Sequence, residues 1–453
     1  MEVEELLSIP LTSLALKVLD LKQYSELLCY LPYENRKQVA TILVRSTLFA
    51  DAPLDSVEKL EKLFVSITPL IKDEEKKGDV APPSEDDDEN SAMFVEEQTL
   101  VARTVHLMKC PDTDLQFRLF SMARKAFGQG GVKRIKHTLV PLVFGGLQLA
   151  YKVKAREAGL AQAQAKVAKM QAKREKMEKA IAQQKADYEA AVAADPDTPP
   201  PPAPPALPEV PEAPAAPAVS CRKVFQFLHE IITAMATTYP ELSLNLFLQA
   251  AISADKVGFK PIAYEFMSQA FILYEDELKD SKAQLKALIT MVGTLLSCAN
   301  FETDDYDTLS TKITQYSAKL LKKPDQARMV TLCSNLFFVG AADNEKHYHD
   351  PKRVLECLQR ALKIADGCMA SSAHVHLFVE ILNHYLYYFE RGCPSIQEKY
   401  LSGLIQLINE HVDGMDHTDA RAEVETTYRN TLTHIAKKKQ DPGTAAQYAK
   451  IQT

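Results

Sequence analysis

Along most of this chain apolar residues recur at i, i+3 or i+4, and i+7, the spacing that gathers them on one face of a helix. In residues 352–366 the stripe is Val354, Leu355, Leu358, Ala361, Leu362 and Ala365. Similar stripes occupy roughly 241–255, 261–277, 281–298, 308–322, 325–339, 373–390, 397–412 and 420–437. The breaks between them are short: Gly258, Asn300, Lys323-Pro324-Asp325, Asp350-Pro351, Gly367, Gly392 and Gly414. Upstream, three helical patterns fill 12–72, split by Pro32 and by Asp51-Ala52-Pro53, and others run over 93–109, 112–126 and 132–151. Helices joined by so few residues pack as antiparallel neighbours. Some eighteen of them cannot share one core, so helix pairs must stack serially. The expected class is all-α, a HEAT-like α-solenoid.

Two segments depart from this pattern. Residues 73–91 contain Glu85-Asp86-Asp87-Asp88-Glu89, a self-repelling run expected to form a disordered loop. A calcium loop would need alternating ligands and a turn glycine, which this run lacks. Residues 152–194 are rich in Ala, Lys and Gln, with ten Lys or Arg against three Glu between 152 and 185. Their apolar positions are Val153, Leu160, Val167, Met170, Met177 and Ile181, a narrow stripe that could serve as a coiled-coil seam. Eleven of the 25 prolines follow between 196 and 217, an extended, semi-rigid tract. The sequence therefore divides into a first solenoid part at 1–151, an inserted basic helix and Pro-rich linker at 152–218, and a second solenoid part at 219–453. For the inserted helix, solvation without a partner competes with binding to an anionic membrane or a partner helix.

At 453 residues the chain exceeds one compact core, and its 15 glycines and lack of tryptophan accompany helix-forming composition. A net charge of −7 argues against a general nucleic-acid binder. The eight cysteines include no CxxC pair, as expected of reduced thiols in a cytosolic protein. No signal peptide and no membrane-spanning run is visible, so any membrane association should be peripheral. Met1 to Leu7 lead directly into a helical pattern, which suggests the C-terminal part of something longer.

Candidate chemistry is sparse. Gly128-Gln129-Gly130-Gly131 is followed by Val132-Lys133 and lacks both the Walker pattern and a preceding strand. His347-Tyr348-His349-Asp350 offers possible metal ligands but lies in a polar loop, and His374 and His376 should point apart on their helix. No nucleophile has a recognisable elbow or motif partner. The chain is expected to be no enzyme and to need no cofactor. A more informative pattern is electrostatic. Glu275, Asp276, Glu277 and Asp280 form an acidic cluster at one helix junction, and Lys319, Lys322, Lys323 and Arg328 form a basic one at another. A separation of about forty-five residues should put them at similar ends of adjacent two-helix repeats. Acid on one copy could then meet base on a second around a two-fold axis.

Several separate segments resemble one family, the large α-solenoid subunit of retromer, vacuolar protein sorting-associated protein 35. They run from Arg124 to Phe144, from Leu244 to Gln249, from Ala263 to Phe271 and on through Leu273-Tyr274-Glu275-Asp276-Glu277, then Ser281 to Leu285 and Lys319 to Gln326. Ala361 to Ala365 and Val379 to Asn383 complete the set, in the family's order. Residues 1–92 fit more loosely, and 152–218 depart from the family's compact pattern. The resemblance is to the C-terminal half and implies a non-enzymatic scaffold of the endosomal coat, peripheral on the cytosolic face, active in retrograde endosome-to-Golgi sorting. It implies a cradle for the small phosphoesterase-fold subunit, vacuolar protein sorting-associated protein 29, around Asn335, Leu336, Phe337 and Phe338. Asn335 stands where the family commonly has histidine. The resemblance also implies a homodimer through the two charge clusters and, near Asp280, coupling to actin-regulating machinery. The arrestin-like subunit would be met only through an N-terminal half that this chain lacks, and membrane contact would be indirect. A helical-repeat adaptor of another assembly, such as a proteasome-lid or translation-factor scaffold, is the competing reading. Those scaffolds commonly end in a winged-helix hairpin, and no strand pattern follows 420.

Overall fold

The computed structural model describes residues 2–73, 91–194, 199, 207, 209–212, 216–340, 348–368, 371–415 and 419–453. The expected acidic loop and most of the Pro-rich tract therefore lie outside the described residues. The chain forms two compact units, Met1–Ile231 and Ile232–Thr453, each a stack of helices.

The first unit holds α1 (Glu2–Leu14), α2 (Lys22–Leu28), α3 (Tyr33–Phe49), α4 (Val57–Ser66), α5 (Thr68–Ile71), α6 (Ala92–Arg103), α7 (Thr113–Gly128), α8 (Val132–Ala194) and the first turns of α9 (Cys221–Ala236). Side chains satisfy orphan amides at the helix starts. Ser91 Oγ accepts from Phe94 N at 3.1 Å and Asp112 Oδ1 from Asp114 N at 3.1 Å. Fully buried Val44, Leu60, Leu63, Val101, Leu119, Leu142 and Val143 supply the core that ties α3, α4, α6, α7 and α8 together.

The glycine turn between α7 and α8 is a tight structural corner. Gly131 has φ +69°, and a Cβ at Gly130 would stand 2.6 Å from the Ile71 carbonyl oxygen. The corner lets Arg134, almost fully buried, donate to Asp73 Oδ1 at 2.6 Å and Oδ2 at 3.1 Å, while Lys133 Nζ lies 2.9 Å from Oδ2. The Arg134 hydrogen bonds hold the Asp73 carboxyl at about 2. A depressed carboxylate contributes stability that is fully present above its unfolded value near 3.8 and is lost as pH falls towards 2. Asp73→Asn is therefore expected to lower the melting temperature at pH 7 and to flatten its fall between pH 4 and 2. Parallel melting curves across that range measure it.

The boundary placed at residue 151 is not a break in the backbone. Residues 132–194 are one helix of 63 residues, about 95 Å long at 1.5 Å per residue. Hydrogen bonds to the rest of the unit concentrate at its inner part: Lys152 Nζ to Gln116 Oε1 at 3.2 Å and Arg156 Nη1 to Asp112 Oδ1 at 3.3 Å. The chain returns to the same place beyond the Pro-rich tract. Val219 N donates to Asp114 Oδ1 at 3.0 Å and Cys221 N to Glu157 Oε1 at 2.9 Å. Among the described residues, the side-chain hydrogen bonds of 158–194 lie within the helix, Arg174–Glu178 and Gln183–Asp187.

The second unit contains α10 (Pro240–Lys256), α11 (Lys260–Asp276), α12 (Ser281–Ser297), α13 (Thr303–Ser317), α14 (Lys323–Cys333), α15 (Pro351–Asp366), α16 (Ser371–Glu390), α17 (Glu398–Asp413), α18 (Asp419–Gln440) and α19 (Ala445–Tyr448). Even-numbered helices contact one another in series from α10 to α18, and each packs against the odd-numbered helix that follows it. This is the serial pairing of a solenoid. The helix expected over 325–339 ends early. After α14 comes a 3-10 turn, Ser334–Phe337, and then β1 (Phe338–Val339), which pairs antiparallel with β2 (Tyr348–His349). The helix expected over 308–322 ends at Ser317, and the next one starts at Lys323 after an extended Lys322, with Pro324 in its first turn where the missing N–H costs nothing.

Asp255 is a buried staple in this stack, 1% exposed. Its carboxylate accepts from Ala299 N at 2.9 Å and Asn300 N at 3.0 Å, fixing the α12–α13 connection to the end of α10. Asp255→Ala leaves both part-buried amides without that acceptor and is expected to cost about 1–3 kcal/mol, measured by denaturant unfolding.

All eight cysteines are free, and burial pushes the thiols of Cys298 and Cys357 up to about 12 and that of Cys333 to about 11. Among the described residues no helix is long and apolar enough to cross a membrane.

Candidate partner-binding surfaces

Helix α12 is apolar on two faces. Ala287, Leu288, Met291 and Leu295 enter the core, while Ile289 and Leu296 remain 48% and 37% exposed. Gly293, one turn beyond Ile289, has no neighbour within 4 Å of a built Cβ. Beside this outer stripe, α14 presents Arg328 and Leu332, and α16 presents Glu380 and His384. These side chains line a cavity of about 300 Å³ running across the three helices. Arg328 grips Glu380 with Nε–Oε2 at 2.9 Å and Nη2–Oε1 at 3.0 Å, and His376 Nε2 is 3.1 Å from the same carboxylate. Burial lowers the pKa of His384, favouring its neutral ring. Tyr387, one turn on, is 42% exposed with the Arg391 guanidinium 5.1 Å from its ring centroid. Aliphatic, Arg, His and Tyr side chains around a shallow depression are residue types that protein-recognition surfaces favour.

The four residues expected to touch the small subunit lie at the end of α14 and divide sharply. Leu336 and Phe337 are core, 0% and 1% exposed, so neither can serve as a surface anchor. The 3-10 turn points them inward, and Tyr306 Oη donates to the Leu336 carbonyl at 3.0 Å. Asn335 and Phe338 stay half-buried at the surface. Tyr388 Oη donates to Asn335 Oδ1 at 2.9 Å, and Phe338 stacks on His349 with centroids 4.2 Å apart. The neighbouring surface apolar side chain is Leu332, one turn before Asn335 and already in the groove.

The two charge clusters occupy neighbouring loops at the same end of adjacent pairs. Glu275, at the close of α11, accepts from Tyr316 Oη and lies 3.8 Å from Lys312 Nζ, both near the close of α13. Asp276 at the last position of α11 and Glu277 just beyond it are exposed, while Asp280 caps α12 by accepting from Ala283 N at 2.8 Å. Lys319 and Lys322 on the α13–α14 loop and Lys323 at the first position of α14 are exposed around Leu321, itself 82% exposed. Arg328 does not join them, because its guanidinium is committed to Glu380.

The possible metal loop is engaged otherwise. His349 stacks on Phe338, Asp350 caps α15 by accepting from Arg353 N at 3.2 Å, and His347 lies outside the described residues. Among the described residues no group of three or more His, Cys, Asp or Glu is placed to hold a metal ion. His374 and His376 do diverge. The first meets His411 at 3.3 Å and the second meets Glu380.

Comparison with known proteins bears on these surfaces. The family model for vacuolar protein sorting-associated protein 35 matches residues 1–411. Vacuolar protein sorting-associated protein 35A of Arabidopsis thaliana is 34% identical over 452 residues, covering 98% of this chain and 49% of the relative. The protein of that family from Schizosaccharomyces pombe is 47% identical over 173 residues, 38% of this chain and 21% of its own length. That from Dictyostelium discoideum is 29% identical over 411 residues, 90% of this chain and 45% of its own. The chain spans about half the length of the Arabidopsis relatives it matches.

Proposed function

This chain belongs to the vacuolar protein sorting-associated protein 35 family, and from that premise we propose that it is a non-enzymatic scaffold of the retromer coat in endosome-to-Golgi sorting. In this reading the groove across α12, α14 and α16 cradles the small phosphoesterase-fold subunit, and the paired charged loops join two copies. The chain works on the cytosolic face of endosomes, and the arrestin-like subunit engages the part of the family that this chain does not match.

The observation that carries the reading is the second apolar face of α12. Ile289 and Leu296 are exposed at seven-residue spacing, beside a groove edged by Arg328 and Glu380. A helix in a stack needs one apolar face to pack, and a second one has use only against another molecule. The half-buried Asn335 and Phe338 extend the same region, in place of the buried Leu336 and Phe337.

The test is size-exclusion chromatography with light scattering of this chain mixed with the small phosphoesterase-fold subunit. A one-to-one complex that is lost on Ile289→Asp supports the cradle. A well-folded helical chain that forms no such complex leaves a helical-repeat adaptor of another assembly as the better reading.

A further inference from the structure

The outer part of α8 has no place in the partner surfaces above, yet its charges are sorted. Lys166, Lys169, Lys173 and Lys176 are all exposed and follow one another at steps of three, four and three residues. At 3.6 residues per turn they fall within about 80° of arc and about 15 Å of helix axis. Glu175 and Glu178 come out on the opposite side, where Glu178 accepts from Arg174 Nε at 2.8 Å. Of the seam positions, buried Val153 and Val167 and half-buried Leu160 run along a flank away from the strip, while Met170 and Met177, four residues after Lys166 and Lys173, border it. Among the described residues no carboxylate pairs with any of the four lysines.

We propose that this lysine strip is a contact surface for an anionic lipid membrane. Protein interface cores are depleted in Lys and built around aromatic or Arg anchors. The strip has neither, and it is bordered by the small side chains of Ala165 and Ala172 on one side and by the flexible Met170 and Met177 on the other. Four mobile ammonium groups along a straight edge demand no matching shape from the partner. A fluid surface of diffuse negative charge meets that condition, and each Lys near such a surface adds to the attraction. Residues 158–194 carry the strip on a helical extension of about 55 Å, continuous with a helix rooted in the first unit. The proposal concerns this chain alone and does not depend on how the second unit binds its partners.

Vesicle co-sedimentation of the whole chain tests it, with phosphatidylcholine vesicles carrying about one-third phosphatidylserine against pure phosphatidylcholine. The parent should bind only the anionic vesicles, less as salt rises. The variant Lys166→Gln, Lys169→Gln, Lys173→Gln, Lys176→Gln should bind at least about tenfold more weakly, and the four Lys→Arg replacements should bind like the parent. Substituting Arg174, Lys179 and Lys185 by Gln, on the other faces, should cost less than about threefold. Circular dichroism keeps loss of helix from passing as loss of contact. The proposal is overturned if the parent binds neutral and anionic vesicles alike or not at all. It is equally overturned if the strip variant binds like the parent, or if the control variant loses as much as the strip variant.

Discussion

Phe337→Ala is expected to lower the unfolding free energy by about 3–5 kcal/mol, the cost of emptying a buried aromatic site. The ring is 1% exposed, and the Arg353 guanidinium lies 4.0 Å from its centroid. Arg353 in turn pairs with Asp307 and donates to Thr311 Oγ1 at 2.6 Å. The Phe337 carbonyl accepts from Asp350 N at 2.8 Å, beside the cap of α15. Removing the ring opens a void and takes the aromatic face from the guanidinium that joins α13 to α15. Ile289→Asp should behave in the opposite way. It sits 48% exposed on the outer face of α12, so stability should move by less than about 1 kcal/mol. Capture of the small subunit should nevertheless be lost, because an aspartate in that apolar stripe must be desolvated without a partner. Guanidinium unfolding and light scattering on the same two variants separate the roles. If Phe337→Ala kept full stability and lost only the partner, Phe337 would be a surface anchor after all and its place in the core would be wrong.

How far the sequence could be read turns on which side of a helix an apolar residue faces. The stacked helices were legible because a period near 3.6 with short polar breaks admits little else. The glycine corner at 128–131 was legible as a turn. Its reason, the close approach of Gly130 to the Ile71 carbonyl, depends on a contact from far upstream in the chain. The continuity of α8 was obscured by its change of composition at 152, since Ala, Lys and Gln are as helical as the apolar run before them. Leu336 and Phe337 looked as suitable for an interface as Ile289 does. Nothing local distinguishes a buried Phe from an anchoring one until the 3-10 turn fixes its direction. The excess on α12 did leave a trace. Leu285, Ile289 and Leu296 lie outside the stripe of Leu288, Met291 and Leu295, and a helix with two apolar stripes advertises a second contact. Arg328 was assigned to the basic cluster by proximity in sequence, and only the position of Glu380, 52 residues away, removes it.

Lys319→Glu, Lys322→Glu and Lys323→Glu together should weaken self-association by about a hundredfold or more, since like charges brought face to face across an interface cost several kcal/mol. The fold should not suffer, because all three lysines are exposed between the end of α13 and the first position of α14, and exposed charges contribute little to stability. The complementary variant is Asp276→Lys with Glu277→Lys. Glu275 is excluded because it already serves Tyr316 and Lys312, and Asp280 because it caps α12. In the proposed two-fold arrangement the acidic loop of each copy would meet the basic loop of the other, so either variant alone would oppose like charges at both contacts. Mixed, they oppose unlike charges at both, and a heterodimer should return. Sedimentation equilibrium of each variant and of the mixture reads this directly, with higher salt weakening the parent and the mixture alike. An unchanged dimer fraction in the lysine variant, or a mixture that stays monomeric, would remove the charged loops from the interface. Leu321, 82% exposed among these lysines, would then be the apolar side chain in need of another partner.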